Sequence, residues 1–210
     1  MNSVYYNYFY SIVNKYNSTL RKTAINNAKN GKNCIIGFYN QPKLHHKKHF
    51  INKKGSIVCR KCRYNTFPDY IYELFTLLSE RYKELDPIEY QLQKEEYDKI
   101  DPDFKIPKSI FTTCTINYNV VCQPHIDKGN YRGKSLIFCM GDFIGGSLII
   151  DGKENILKEG TVMLIDGNLE HYNTPIISGN KLSIVLYIRS DMNNEMNPNK
   201  IKIGNDDYRY

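Results

Sequence analysis

The chain has 210 residues, 41% of them apolar, which is enough for one catalytic domain with a sizeable core, or a domain plus a small appendage, and too apolar for a disordered tail. No charged start followed by an apolar run marks export, and no apolar stretch approaches the roughly 20 residues that span a bilayer, so a soluble, intracellular protein without a membrane partner is expected. The net charge of +7 is split, because residues 1–68 hold 13 of the 29 Lys/Arg and none of the 22 Asp/Glu, an imbalance that points to a polyanion partner, nucleic acid above all, over a merely solvated basic surface.

Residues 4–29 read as a helix. Tyr5, Tyr8, Phe9, Ile12, Val13, Tyr16 and Leu20 recur at helical spacing, with Ser3 as its cap and Gly31 at its end. Cys34 to Tyr39 reads as a short strand, and residues 40–66 as polar, basic and irregular. Asp69 is expected to cap a helix over 70–85, whose Ile71, Leu74, Leu77 and Leu78 share a face. Asp86-Pro87 breaks it, a third helix follows over 88–99, and Asp101-Pro102 begins a connector. From residue 109 the character changes. Strands are predicted over 110–121, 133–140, 147–150, 154–158, 161–166, 170–174 and 181–189, with a turn from Asp142 to Gly146 and a hairpin at Asp151-Gly152. Helices ahead of a run of short strands predict an α+β chain with a closed or sandwiched β core and a helical buttress. The expected division is a helical and basic region over 1–108, a β core over 109–190 and a tail over 191–210.

Gln123-Pro124-His125-Ile126-Asp127 follows a predicted strand. At i and i+2 on an extended chain, His125 and Asp127 share one face. His171 opens a later strand. Two imidazoles and one carboxylate make a facial triad, which suits Fe(II) and leaves three coordination positions for a bidentate cosubstrate and dioxygen. An isolated His-x-Asp is weak. The order of strand, His-x-Asp, several strands, His and then a cation is more telling. That cation is Lys181, at the head of the last strand, where a buried ammonium, helped by the Ser183 hydroxyl, suits the far carboxylate of 2-oxoglutarate.

With these residues in view, the stretch from about 112 to 188 resembles the 2-oxoglutarate/Fe(II) dioxygenases, and within them the TET/J-binding-protein branch. The motifs that carry the resemblance are His125-Ile126-Asp127-Lys128-Gly129-Asn130, Gly141 to Leu148, Asp166-Gly167-Asn168-Leu169-Glu170-His171 and Gly179-Asn180-Lys181-Leu182-Ser183. The resemblance implies a double-stranded β-helix (jelly-roll) core and oxidation of the methyl group of 5-methylcytosine or thymine in nucleic acid, DNA before RNA. It also implies that Asn130, five residues after the first His, reads the target base. One departure stands out: that branch usually has Arg where this chain has Lys181. Lys there is common in prolyl and lysyl hydroxylases, so a protein hydroxylase is the alternative. A nucleic-acid-binding module with a degenerate barrel is a third reading, opposed by the intact triad.

Cys59-Arg60-Lys61-Cys62 has the spacing of half a tetrahedral zinc site, read here as lying on a tight turn. The other half would be two of His45, His46 and His49, with His45 and His49 preferred, or Cys34 and one histidine. Free thiols beside incidental histidines are an equal reading. Zinc would explain how an acid-free segment poor in apolar residues stays folded.

Overall fold

The structure is a computed structural model and describes residues 3–16, 31–39, 50–51, 57–59, 61–62, 66–100, 102, 105–127, 130 and 133–189. In chain order the elements are α1 (Ser3–Lys15), β1 (Lys32–Tyr39), β2 (Phe50–Ile51), β3 (Ile57–Cys59), β4 (Lys61–Cys62), α2 (Asp69–Leu85) and α3 (Pro87–Lys99). The strands β5 (Thr113–Tyr118), β6 (Ser135–Met140), β7 (Phe143–Gly145), β8 (Leu148–Ile150), β9 (Lys153–Asn155), β10 (Val162–Ile165), β11 (His171–Asn173), β12 (Ile176–Gly179) and β13 (Leu182–Tyr187) complete the set. Six strands form one antiparallel sheet in the order β10-β6-β13-β5-β1-β4. The sheet β11-β8-β9 and the pair β12-β7 oppose it. This is a double-stranded β-helix with helices packed on the outside of its larger sheet.

Alternation along the strands divides the molecule into two cores. On β13, Leu182, Ile184 and Leu186 are fully buried against the helices. The intervening Ser183, Val185 and Tyr187 line an interior cavity. The same period of two sends Cys34 and Ile36 of β1, and Cys114 and Ile116 of β5, toward the helices, while Asn33, Ile35, Thr115 and Asn117 line the cavity. The helical layer contributes Phe9, Ile12 and Val13 from α1 and Ile71, Leu74, Phe75, Leu78 and Tyr82 from α2. Each such fully buried apolar side chain is worth about 1.5–3 kcal/mol of transfer free energy. Between the sheets, Ile137, Cys139, Leu148, Leu157 and Ile165 form the second core. Cys34, Cys114, Cys122 and Cys139 are free of disulfide bonds.

Several expectations are corrected. α1 ends at Lys15, one residue before the Tyr16 bend. Asn17-Ser18-Thr19 follows, residue types whose side chains compete for backbone hydrogen bonds. Residues 17–30 lie outside the described residues. Asp69 does not cap α2. Pro68 occupies that position without a side-chain bond, its carbonyl accepting from the Ile71 amide at 2.9 Å. Asp86 instead caps α3, accepting from the Glu89 amide at 3.0 Å and pairing with Lys134 Nζ at 2.7 Å. The span from Asp142 to Gly146 is not one turn. Phe143–Gly145 is a strand paired with Ile176–Gly179, and the left-handed residues Gly141 (φ 101°) and Gly146 (φ 65°) bend the chain on either side. Within 40–66, taken as irregular, short strands form at Phe50–Ile51, Ile57–Cys59 and Lys61–Cys62. The last pairs with β1 through Phe38↔Cys62 and Tyr39↔Lys61. Cys59 ends β3 and Cys62 ends β4, and Arg60 between these strands lies outside the described residues. Among the described residues no helix is long and apolar enough to cross a membrane.

Candidate metal centre

The segment after β5 is extended but too irregular to pair continuously. It is held to β11 by Asn173, whose amide substitutes for backbone. Its Oδ1 accepts from the Cys122 amide at 2.8 Å, and its Nδ2 donates to the Val120 carbonyl at 2.9 Å. Three residues on, His125 forms an isolated antiparallel bridge with His171. The two rings then lie side by side, centroids 4.4 Å apart. Each ring is oriented by its own turn: His125 Nδ1 lies 2.7 Å from the Gln123 carbonyl and His171 Nδ1 2.8 Å from the Leu169 carbonyl. A carbonyl can only accept, so both Nδ1 atoms carry the proton. Nε2 is then the ring atom each histidine turns toward a metal.

Asp127 stands between them, with Oδ1 3.9 Å from His125 Nε2 and Oδ2 3.9 Å from His171 Nε2. Its amide donates to the Gly167 carbonyl at 2.7 Å. Ligand atoms of His125, Asp127 and His171 all lie within 4.8 Å of one another. With metal–ligand bonds of about 2.1 Å, atoms sharing one octahedral face sit about 3 Å apart. The two 3.9 Å contacts to Asp127 close to that spacing with a shift of about 1 Å. The donor set, two imidazoles and one carboxylate on one side of an open space, fits Fe(II).

That space is a cavity of about 340 Å³. Lys181 enters it from the head of β13, 6% exposed. Its Nζ donates to the Gly146 carbonyl at 2.5 Å and sits 5.5 Å from the centroid of the Phe143 ring. Burial pulls its pKa below the ordinary lysine value. Asn119, in the left-handed conformation at φ 49°, pins the Lys181 backbone: its amide donates to the Lys181 carbonyl at 2.9 Å and its Oδ1 accepts from the Lys181 amide at 2.8 Å. Ser183 lies one pleat farther along the cavity wall.

Asn130 also lines the cavity, its Nδ2 3.3 Å from Asp127 Oδ2. The expected site residues His125, Asp127, Asn130, His171, Lys181 and Ser183 thus border one space. Of the proposed zinc ligands, His45 and His49 lie outside the described residues, as do the side chains of Cys59 and Cys62. Sequence reasoning missed Asn119, Asn173 and Arg189. The last was discoverable, since counting by twos from Lys181 leads to Tyr187 and Arg189 on the cavity face. Arg189 bridges Asn130 through the backbone, and its buried Nε has no hydrogen-bond partner among the described residues.

Comparison with known proteins bears on this arrangement. A family model, Tet_JBP, described as the oxygenase domain of the 2OGFeDO superfamily, matches residues 35–190. The chain is 29% identical over 186 residues to the bifunctional helicase and thymine dioxygenase JBP2 of Trypanosoma brucei brucei, covering 81% of this chain and 16% of that protein. It is 32% identical over 123 residues to the Leishmania tarentolae protein of the same name, covering 55% of this chain and 11% of that one. The chain thus spans less than a fifth of the length of these curated relatives. A solved structure of NgTET1 in complex with 5mC DNA superposes with a TM-score of 0.54 at 15% identity, covering 90% of this chain and 68% of that one. It shares the fold.

Proposed function

The chain belongs to the Tet/JBP family of 2OGFeDO oxygenase domains, and from that premise we propose that it is an Fe(II)- and 2-oxoglutarate-dependent dioxygenase that hydroxylates the methyl group of 5-methylcytosine or thymine in DNA. The single observation that carries this reading is the convergence of two Nδ1-pinned histidines and Asp127 on one cavity that also holds a buried lysine. Relatives named thymine dioxygenases, and a shared fold with a protein solved on 5mC DNA, support a pyrimidine methyl group as the target.

His125, Asp127 and His171 would hold the iron. Bound iron with 2-oxoglutarate and dioxygen supplies the oxidising chemistry, whose products are succinate, carbon dioxide and the hydroxylated methyl group. The protein's part is placement. Lys181 fixes the far carboxylate of 2-oxoglutarate, with Ser183 offering a hydroxyl, and Leu148, Leu157 and Ile165 give the cavity a dry wall. No side chain need act as an acid or base on the methyl group. A duplex base would have to leave the stack to reach the site, with Asn130 at its edge and the basic residues of 1–68 on the phosphates. In the same reading, residues 109–190 are the catalytic core, and zinc on Cys59, Cys62, His45 and His49 braces the basic segment. Elemental analysis for bound zinc and iron tests both metals.

One incubation decides among substrates: the protein with Fe(II), 2-oxoglutarate and either methylated DNA or a peptide pool. Succinate release that depends on methylated DNA, with hydroxymethylated bases by mass spectrometry, is the expected result. Release with peptides alone would transfer the assignment to a protein hydroxylase, the reading that Lys181 favours. No release with either would leave a binding protein.

A further inference from the structure

Asp127 is the most loosely built of the three ligands. Among the described residues its carboxylate has no backbone donor, and its nearest polar contacts are the two imidazoles and one amide. That amide belongs to Asn130. A carboxylate only accepts, so the group 3.3 Å from Asp127 Oδ2 must be Asn130 Nδ2. The same Nδ2 lies 3.5 Å from Ser135 Oγ, and the Asn130 backbone is tied to Arg189 by an isolated bridge. On the other side runs Gly167. A Cβ there would stand 3.0 Å from Asp127 Cβ and 3.8 Å from Asn130 Nδ2. Gly167 has no need of glycine for its backbone angles, since it is absent from the residues with positive φ. Space for Asp127 is the need it meets.

We propose that Asn130 and Gly167 are positioning residues for Asp127, the one orienting its carboxylate through Nδ2 and the other leaving room for it, so that the metal site is incomplete without them. This rests on the metal-centre reading above. It also assigns the two ends of Asn130 to different work. The two N–H groups of Nδ2 face Asp127 Oδ2 and Ser135 Oγ, so Oδ1 is the atom left for a substrate, and it can meet only a base edge that presents an N–H donor.

The test is metal binding without turnover. Titration of the whole chain with Co(II), followed by calorimetry and by the visible spectrum, reads affinity and ligand geometry. Asn130→Leu keeps the side chain's shape and removes the donor, and Asn130→Ala removes both. Each is expected to weaken Co(II) binding by about 10–100-fold, the usual cost of losing a group that orients a ligand, and to change the spectrum while circular dichroism and the melting temperature hold. Gly167→Ala is expected to do the same with the donor intact, so the proposal survives even if one position-130 variant folds poorly. Wild-type affinity in the folded Asn130→Leu and Asn130→Ala variants, with only the KM for DNA raised, would overturn the proposal and leave Asn130 a substrate contact alone. A wild-type chain that binds no Co(II) would bring down the metal centre itself, a result distinct from the first.

Discussion

His125 and His171 exchange both of their main-chain hydrogen bonds, the His125 amide donating to the His171 carbonyl at 3.1 Å and the His171 amide to the His125 carbonyl at 2.9 Å. The backbone, not the imidazoles, therefore holds the two sides of the site together. Removing an imidazole should leave the bridge intact. His171→Ala is expected to abolish detectable metal binding and turnover while lowering the metal-free stability by no more than about 1–2 kcal/mol. Calorimetric titration with Mn(II) and a denaturant melt of the metal-free protein measure the two effects separately. A large loss of stability with metal binding retained would contradict the assignment.

If Lys181 holds the far carboxylate of 2-oxoglutarate, it sets the alkaline limit of cosubstrate binding. Burial disfavours its charged form and lowers its pKa from the ordinary 10.5. The sign follows directly. The ammonium that attracts a dicarboxylate is present below that lowered pKa and lost as pH rises through it. Affinity for 2-oxoglutarate should then decline on the alkaline side below pH 10.5. Lys181→Arg, whose guanidinium does not deprotonate in this range, should flatten that limb. Lys181→Met should raise the KM for 2-oxoglutarate at least tenfold at neutral pH. A pH-independent KM in the wild type would remove Lys181 from the role.

Gly146 answers for the position of that lysine. It has a left-handed φ of 65°, and an added Cβ would stand 3.2 Å from Lys181 Cδ and 3.4 Å from Nζ. Gly146→Ala adds about 1 kcal/mol of backbone strain. It also pushes the ammonium off the carbonyl that receives it. The expected result is a modestly lower melting temperature together with a raised KM for 2-oxoglutarate. By contrast, nothing lies within 4 Å of a Cβ added at Gly152. Gly152→Ala also carries positive-φ strain and serves as the control: stability falls and the KM does not move.

The features legible in the chain were those with a period or a spacing. His125-Ile126-Asp127 reads as one face because alternation is strict on extended backbone, and Lys181 reads as buried because it opens an apolar alternating strand. The aromatic face of α1 and the Ile71, Leu74 and Leu78 face of α2 were visible for the same reason, whereas Leu77, expected on that face, is 62% exposed. What escaped has neither. Asn119 and Asn173 act as single amides standing in for backbone, and a lone Asn in a loop looks like any turn residue. The β7–β12 pair is bounded by Gly141, Gly146, Pro175 and Gly179, so punctuation hid two short strands that pair far apart in the chain. Asn130 was read by resemblance as a contact to the base. Its contact with Asp127 is one that no spacing encodes.

If the acid-free N-terminal third contacts phosphates, DNA binding should weaken steeply with salt. Each neutralised phosphate contributes about −0.9 to the slope of log affinity against log salt. A slope of about −4 or steeper, measured by fluorescence anisotropy on a short duplex, is the expectation. A flat profile would assign the 13 basic residues of 1–68 to another task.

Arg189 gives a test that separates cosubstrate from substrate. It lies eight residues beyond Lys181, about 26 Å at the rise of an extended strand. It borders the cavity beside Asn130, its bridge partner. Among the described residues its buried Nε has no hydrogen-bond partner, an arrangement that lowers stability until an acceptor arrives. Arg189→Met is therefore expected to leave the melting temperature unchanged or raise it. The loss of a charge-assisted hydrogen bond, about 1.5–3 kcal/mol, should raise the KM for DNA by about 10–100-fold with the KM for 2-oxoglutarate unmoved. An effect on 2-oxoglutarate alone would place both cations on the cosubstrate and leave the base edge to Asn130.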